Sequence, residues 1–209
     1  MDTRLKNQLQ RGCETLGLPL DPGQLQQLSD YLQLLVKWNG AYNLTAVRDP
    51  AQMVTRHLLD SLAVAPHLQA DRLIDVGTGA GLPGVPLAIL FPGRSFDLLD
   101  SNGKKTRFLF QVKTALGLDN MLVHHQRVES FLPPEPYDAV LSRAFASLED
   151  MVACCQHLLA PQGRMLAMKG VLAREELESL GAGWQLVALH ALTVPGLDEQ
   201  RYLVELIQQ

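Results

Sequence analysis

Four glycines within eight residues, Gly77, Gly79, Gly81 and Gly84, constrain this 209-residue chain more than any other feature. They follow the branched apolar run Leu73-Ile74-Asp75-Val76, which reads as a strand buried on both faces. They precede Val85, Leu87, Ala88 and Ile89, an apolar helical pattern that ends at Phe91-Pro92-Gly93. Glycine is required where backbone takes positive φ or approaches a ligand closely. Strand, glycine turn and helix in that order place a ligand crevice at the carboxyl end of the strand. The expectation is a nucleotide-like cofactor on Leu73 to Ala88.

The rest of the chain supplies the frame. Three helices are expected first, from Asp2 to Leu16, Pro22 to about Trp38 and about Pro50 to Ala65. Asp21-Pro22 starts the second and Asn39-Gly40 is expected to stop it. Its leucine stripe reads as a core face. His57 and Asp60 share a face of the third helix, too few groups for a metal site, so no metal is expected. Strands then alternate with helices. Ser95 to Asp100, Met121 to His125, Tyr137 to Ser142 and Gly163 to Lys169 are strands. Lys104 to Leu116 and Leu148 to Leu159 are helices. Trp184 to Val194 and Arg201 to Ile207 form a closing antiparallel pair. The fold class is α/β, a mostly parallel sheet with an antiparallel edge. The expected division is an N-terminal helical extension, residues 1–70, and a cofactor domain, residues 71–209.

Composition excludes several classes. Hydrophobic residues at 47% and charged residues at 19% exclude a disordered chain. No apolar run reaches the roughly 18 residues of a membrane span, and the start is polar, so a cytoplasmic protein without a membrane partner is expected. A formal net charge of −4 leaves nucleic-acid binding to a local basic face. Cys13, Cys154 and Cys155 lack metal spacing and read as free thiols, at least one of the adjacent pair buried.

The cofactor follows from what the turn has and lacks. Position 82 is Leu, so the Gly-x-Gly-x-x-Gly of dinucleotide folds is broken, and no Gly-Lys-Ser/Thr ending follows. Asp100 ends the next strand, placed to accept from both ribose hydroxyls; its alternative is capping the following helix, a task open to Ser101. Asp75 in a buried strand needs partners, either turn amides or a cationic cofactor. S-adenosylmethionine, with its sulfonium and ammonium, suits this acidic setting. NAD, with its pyrophosphate, wants a bare helix N-terminus.

These residues resemble a known family. Asn43-Leu44-Thr45, Arg56-His57-Leu58-Leu59-Asp60-Ser61-Leu62 and Asp75-Val76-Gly77-Thr78-Gly79-Ala80-Gly81-Leu82-Pro83-Gly84 come first. Leu99-Asp100-Ser101, Lys104-Lys105, Arg127-Val128-Glu129, Ser142-Arg143-Ala144 and Lys169-Gly170 follow in order. Together they are similar to the RsmG or GidB family of bacterial 16S rRNA guanine-N7 methyltransferases. The resemblance implies a Rossmann-like class I methyltransferase with a mostly parallel seven-stranded sheet and an antiparallel edge strand. It implies S-adenosylmethionine as cofactor, S-adenosylhomocysteine as product, and N7 of one guanine, position 527 of 16S rRNA, as acceptor. The substrate would be the small ribosomal subunit or an assembly intermediate, met by a monomer.

Carried over by resemblance, Gly77, Thr78 and Leu82 line the cofactor, and Gly79 and Gly81 shape the turn. Asp100 and Ser101 bind the cofactor, Val128 and Glu129 meet the adenine, and Arg143 sits at the boundary between cofactor and substrate. Leu82 and Val128 as core, and Glu129 as a surface ion-pair partner, are the alternatives. Lys104, Lys105, Arg127 and Lys169 are candidate RNA contacts, with a solvated helix face the alternative for the two lysines of the helix. Guanine N7 carries no proton, so no general base is expected; Arg143 is the residue expected to position the substrate.

Overall fold

The computed structural model describes residues 2–171, 176–177, 180–181 and 183–209. Helix α1 (Thr3–Thr15) starts at Asp2, whose carboxylate accepts from the Arg4 amide. Helix α2 (Pro22–Tyr42) starts at Asp21 with a reciprocal cap: Asp21 accepts from the Gln24 amide and Gln24 from the Asp21 amide. Helix α2 runs past Asn39-Gly40, where its end was expected. Asn39 is buried; its amide group donates to the Val47 carbonyl and its oxygen accepts from the Thr45 amide. Those bonds fold the following loop back onto the helix rather than ending it. The end comes at Asn43, which takes the left-handed conformation at φ 51°.

The third helical stretch is composite: α3 (Pro50–Met53), a π-helical turn (Val54–Leu59) and α4 (Asp60–Leu62). Such a turn often marks a functional site, and this one carries Arg56 and His57.

Alternation then begins. In chain order come β1 (Arg72–Val76), α5 (Gly84–Leu90), β2 (Ser95–Asp100), α6 (Gly103–Leu116), β3 (Met121–His125) and β4 (Tyr137–Ser142). After them come α7 (Leu148–Cys155), β5 (Leu159–Lys169), β6 (Trp184–Ala191) and β7 (Tyr202–Gln208). Helix α7 is shorter than expected: the chain leaves it through a 3-10 turn and enters β5 at Leu159. A register shift in β4–β5 pairing accommodates the early start, Tyr137 facing Leu159 and Ala139 facing Arg164.

The seven strands lie in the order β3-β2-β1-β4-β5-β7-β6. Strands β1 to β5 pair in parallel, and β7 runs antiparallel to both β5 and β6. The expected closing pair therefore forms, but the reversed strand sits one position in from the edge. Strand β6 is the edge, because the chain passes the β7 position and returns to fill it. Winding reverses between β1 and β4, so the ligand crevice lies at their carboxyl ends.

Strand β1 is buried on both faces, as its composition requires. Leu73 belongs to an apolar cluster with α1, α2, α5 and α6; Ile74 and Val76 belong to a second cluster with α7. The first cluster reaches from Leu9 of α1 to Leu203 of β7, so the N-terminal helices share the core of the sheet. Cys13 and Cys155 are buried free thiols, and burial pushes each up to about 12. Among the described residues no helix is long and apolar enough to cross a membrane.

Tyr31 of α2 is fully buried, and its hydroxyl donates to the Ala80 carbonyl at 2.7 Å. That bond ties the N-terminal helices to the glycine turn. Tyr31→Phe strands the buried carbonyl and should cost about 1–2 kcal/mol of stability. Urea unfolding should show a lower midpoint at an unchanged slope; an unchanged midpoint would contradict the tie.

Candidate functional site

The turn after β1 is fixed to β2 before any ligand arrives. The Gly77 and Thr78 amides both donate to the Leu99 carbonyl, at 2.9 and 3.2 Å. Gly77 sits at φ +69°, and a Cβ there would lie 2.6 Å from the Ala144 side chain. Gly81 sits at φ +92°, with Val85 and Leu109 where its Cβ would go. The first glycine keeps the crevice open between β1 and β4; the second lets the turn lie down on α5 and α6.

Two carboxylates hold the turn. Asp75 lies beneath it, 2% exposed; its Oδ2 accepts from Thr78 Oγ1 at 2.6 Å and from the Gly84 amide at 2.8 Å. Its Oδ1 is buried without a partner. Burial pushes this carboxyl up to about 7, against the pull of Thr78 and Gly84. Asp100 lies beside the turn: Oδ2 accepts from the Gly79 amide at 2.9 Å and Oδ1 from the Asn102 amide at 2.8 Å. Lys105 Nζ stands 3.7 Å from Oδ2. Neither Asp100 nor Ser101 caps α6. Asn102 does, accepting from the Lys104 amide at 3.0 Å, because Asp100 is drawn back to the turn.

Three cavities follow one another along the strand ends. The first, about 300 Å³, is lined by Gly77, Asp100, Ser101, Val128 and Glu129, with Lys105 and Arg127 also on its wall. The second, about 170 Å³, is lined by Thr45, His57, Gly77, Thr78, Leu82 and Arg143. The third, about 330 Å³, is lined by Arg56, His57, Asp60, Arg143, Lys169 and Arg201. Gly77 and Ala144 belong to the first and second, and His57 and Arg143 to the second and third. A further cavity, lined by His67, Asp138, Arg164 and Glu205 among others, lies at the amino ends of β4 and β5, away from the turn.

The third cavity is built around one acid. Asp60, 4% exposed, takes Arg143 Nη1 on Oδ2 at 2.8 Å and Arg201 Nε on Oδ1 at 3.0 Å. Glu199 then bridges Arg201 and Arg56, at 2.9 and 2.6 Å. His57 is buried, its Nε2 2.9 Å from Thr45 Oγ1. Burial pushes it down to about 4, aided by Arg143 and Arg56, so the ring is neutral near pH 7.

The sequence-derived candidates divide accordingly. Gly77, Asp100, Ser101, Val128 and Glu129 come together around the first cavity. Gly79, Thr78 and Leu82 join Arg143 around the second, while Gly81 serves packing alone. Lys104 is exposed at the start of α6. Lys105 and Arg127 stand on the wall of the first cavity. Lys169 lines the third cavity but is paired within the chain. It is 9% exposed, and its ammonium is committed to Glu176 at 2.5 Å and the Ala146 carbonyl at 2.7 Å. There it pins the loop after β4. Sequence reasoning missed Arg201, Glu199 and the role of Asp60 between two arginines. The pairs Asp60–Arg143, Asp60–Arg201 and Arg56–Glu199 each span more than 80 residues, and no local spacing announces them.

The residues present fit an adenosyl sulfonium group and not a dinucleotide. The Gly84 amide that would greet a pyrophosphate at the start of α5 is already given to the Asp75 carboxylate. Asp75 keeps one unpartnered oxygen, and Asp100, with one amide bond to each oxygen, lines the first cavity.

Comparison with known proteins gives one answer. The family model described as "GidB: rRNA small subunit methyltransferase G" matches residues 24–204. A relative named Ribosomal RNA small subunit methyltransferase G, from Pseudomonas paraeruginosa, is 57% identical over 199 residues, covering 95% of this chain and 93% of its own. A relative of the same name from Shewanella amazonensis is 52% identical over 204 residues, covering 98% and 99%. Among solved structures, the glycopeptide N-methyltransferase MtfA complexed with S-adenosyl-L-homocysteine superposes with a TM-score of 0.61. It is 12% identical, over 73% of this chain and 90% of that one. The precorrin-6y C5,15-methyltransferase from Geobacter metallireducens gives 0.54 at 19% identity, over 81% and 92%. These two likenesses show the Rossmann-like class I methyltransferase fold.

The buried Asp75 makes stability depend on pH. Its carboxyl holds a proton up to about 7 when folded and only to about 4 when unfolded. Stability therefore falls as pH rises through that window, by up to about 1.4 kcal/mol per pH unit. Asp75→Asn keeps an acceptor for Thr78 and Gly84 without the titration. Chemical denaturation should show the variant gaining on the native chain from pH 4 to 7. The opposite slope from His57 is common to both chains, and a constant difference would contradict the assignment.

Proposed function

This chain belongs to the rRNA small subunit methyltransferase G (GidB) family, and on that premise we propose that it methylates N7 of one guanine in 16S rRNA. The S-adenosylmethionine cofactor, bound along the first two cavities, supplies a methyl group on a cationic sulfur. One observation carries the reading: His57 and Arg143 wall both the second cavity and the basic third one, so a cofactor site opens onto a cationic pocket.

Each residue then has a task set by its place. Asp100, held by Gly79 and Asn102, accepts from the ribose hydroxyls with its remaining lone pairs. Val128 and Glu129, on the 3-10 turn after β3, offer a backbone amide and a carboxylate to the adenine edge. Asp75 keeps the field beneath the turn negative once ionised, which suits a sulfonium and an ammonium. His57 stays neutral beside Arg143 and adds no positive charge where a sulfonium must bind.

Guanine N7 has an in-plane lone pair and no proton, so no side chain here has to take one. Rate then depends on orientation and on the electrostatics of charge leaving sulfur for the base. Arg143 is the orienting residue. Asp60 fixes one of its nitrogens, leaving the others free for guanine O6 or a phosphate. Donation to N7 itself would block the nucleophile. Lys104 and Arg127 serve as outer phosphate contacts, and Lys105 steadies Asp100 at the cofactor edge. The substrate is the small ribosomal subunit or an assembly intermediate, met in the cytoplasm by a monomer. Residues 71–209 carry the cofactor chemistry, and residues 1–70 form the helical extension that closes the site through Thr45 and His57.

A radiolabelled methyl-transfer assay on small subunits and on deproteinised rRNA, with the product nucleoside identified, tests this directly. 7-Methylguanosine is the expected product; label on another atom, or on isolated metabolites only, would overturn the reading. Arg143→Ala should lower turnover about 100-fold while S-adenosylhomocysteine affinity changes only a few-fold. Normal turnover in that variant would remove Arg143 from the chemistry.

A further inference from the structure

Helix α2 carries Tyr31, Trp38 and Tyr42, spaced seven and eleven residues from the first. At about 3.6 residues per turn these are close to two and three full turns, so all three lie along one face. That face meets α6. The Tyr31 and Phe108 ring centroids are 6.3 Å apart, and those of Trp38 and Phe108 are 5.7 Å apart. Trp38 then stacks on Tyr42, at 5.1 Å and 29°. The stripe starts beneath the glycine turn, where the Tyr31 hydroxyl meets Ala80, and rises to the surface. Tyr31 is fully buried, Trp38 half-buried, and Tyr42 43% exposed.

We propose that the exposed Tyr42 ring, backed by Trp38, is a stacking platform for an unpaired nucleobase of the RNA substrate, next to the methylated guanine. This rests on the RNA methyltransferase reading above. Four observations support it. First, the ring is preorganised, because Trp38 is wedged against the buried Phe108. Second, it is close to the site. Thr45, which lines the second cavity, is three positions after Tyr42, so the two lie within about 10 Å along the chain. Third, the backbone between them is fixed. Asn43 is held in its left-handed turn by Arg48, whose guanidinium donates to Asn43 Oδ1 and to the Asn39 carbonyl. Fourth, exposed cations accompany the stripe: Arg48, bonded to the Asn43 that follows Tyr42, and Lys104, one helical turn before the Phe108 that meets Trp38. A ring between cations is how single-stranded nucleic acid is held, with bases stacked and phosphates paired.

A protein partner fits less well. Such interfaces need a contiguous apolar patch of a few hundred Å². Here the exposed large apolar side chains of α2 are Tyr42 and Val36, and Lys37, Asn43 and Arg48, close to Tyr42 in sequence, are exposed as well.

The test compares Tyr42→Phe, Tyr42→Leu and Tyr42→Ala in the full chain. The expected result is an about tenfold rise in KM for small subunits with Ala and with Leu. The rise with Phe should stay within about twofold, and S-adenosylhomocysteine affinity and thermal midpoint should hold in all three. Leu keeps apolar bulk without a π-face, so Leu behaving like Phe would overturn the platform. So would an unchanged KM with Ala. A second measurement needs no methyl transfer. In a Trp184→Phe background, Trp38 is the one remaining tryptophan. Adding a single-stranded RNA oligonucleotide should change its fluorescence, and Tyr42→Ala should abolish that change. A response that survives Tyr42→Ala, or no response at all, would also overturn the platform. Absence of methyl transfer by the native chain would instead strike the methyltransferase reading, leaving the fluorescence result to decide the platform.

Discussion

The glycine turn is held between two carboxylates, and the rest of the site depends on that clamp. Asp75 grips it from below through Thr78 and Gly84, and Asp100 from the side through Gly79. A buried carboxylate is costly unless its partners compensate. Asp75 is compensated on one oxygen only, and its raised proton affinity records the deficit. The arrangement has a consequence for ligand choice. Amides that would stabilise an anion at the start of α5 are already satisfied from within the chain, so the site selects against pyrophosphate.

Charge is sorted along the strand ends. Acids dominate at the glycine turn, where a cationic cofactor belongs. Arginines gather around the third cavity, the side proposed for RNA. The sequence total of −4 hides this sorting. Asp60 makes it possible, because a single buried acid lets Arg143 from the end of β4 and Arg201 from beside β7 approach each other. The π-helical turn sets His57 facing the same space as Asp60. The N-terminal helices thus contribute to the site as well as to the core, and Thr45, Tyr31 and Ala80 are the points of junction.

Much of the frame was legible from residue patterns. The branched run of β1, the clustered glycines and the acid at the end of β2 each reflect a local demand, and local demands leave local signatures. What escaped notice depends on distant partners. Asn39 reads as a helix stop because asparagine usually is one; here its side chain bonds Thr45 and Val47 and the helix continues. Ser101 reads as a cap, but Asp100 turns back to Gly79 and moves the cap to Asn102. Lys169 reads as a phosphate contact because it ends a strand, yet Glu176 and the Ala146 carbonyl take its ammonium. Arg201 carries no local cue at all; its meaning comes from an aspartate 141 residues away. The cofactor candidates named from sequence and family likeness come together around the first two cavities, while the third cavity emerged only once the fold had joined α4 to β4 and β7.

Titration calorimetry of the full chain with S-adenosylhomocysteine and with NAD tests the clamp most directly. One S-adenosylhomocysteine should bind, NAD should give no binding heat, and Asp100→Ala should weaken the former by at least about tenfold. Binding of NAD as tight as that of S-adenosylhomocysteine, or full affinity in Asp100→Ala, would contradict the account.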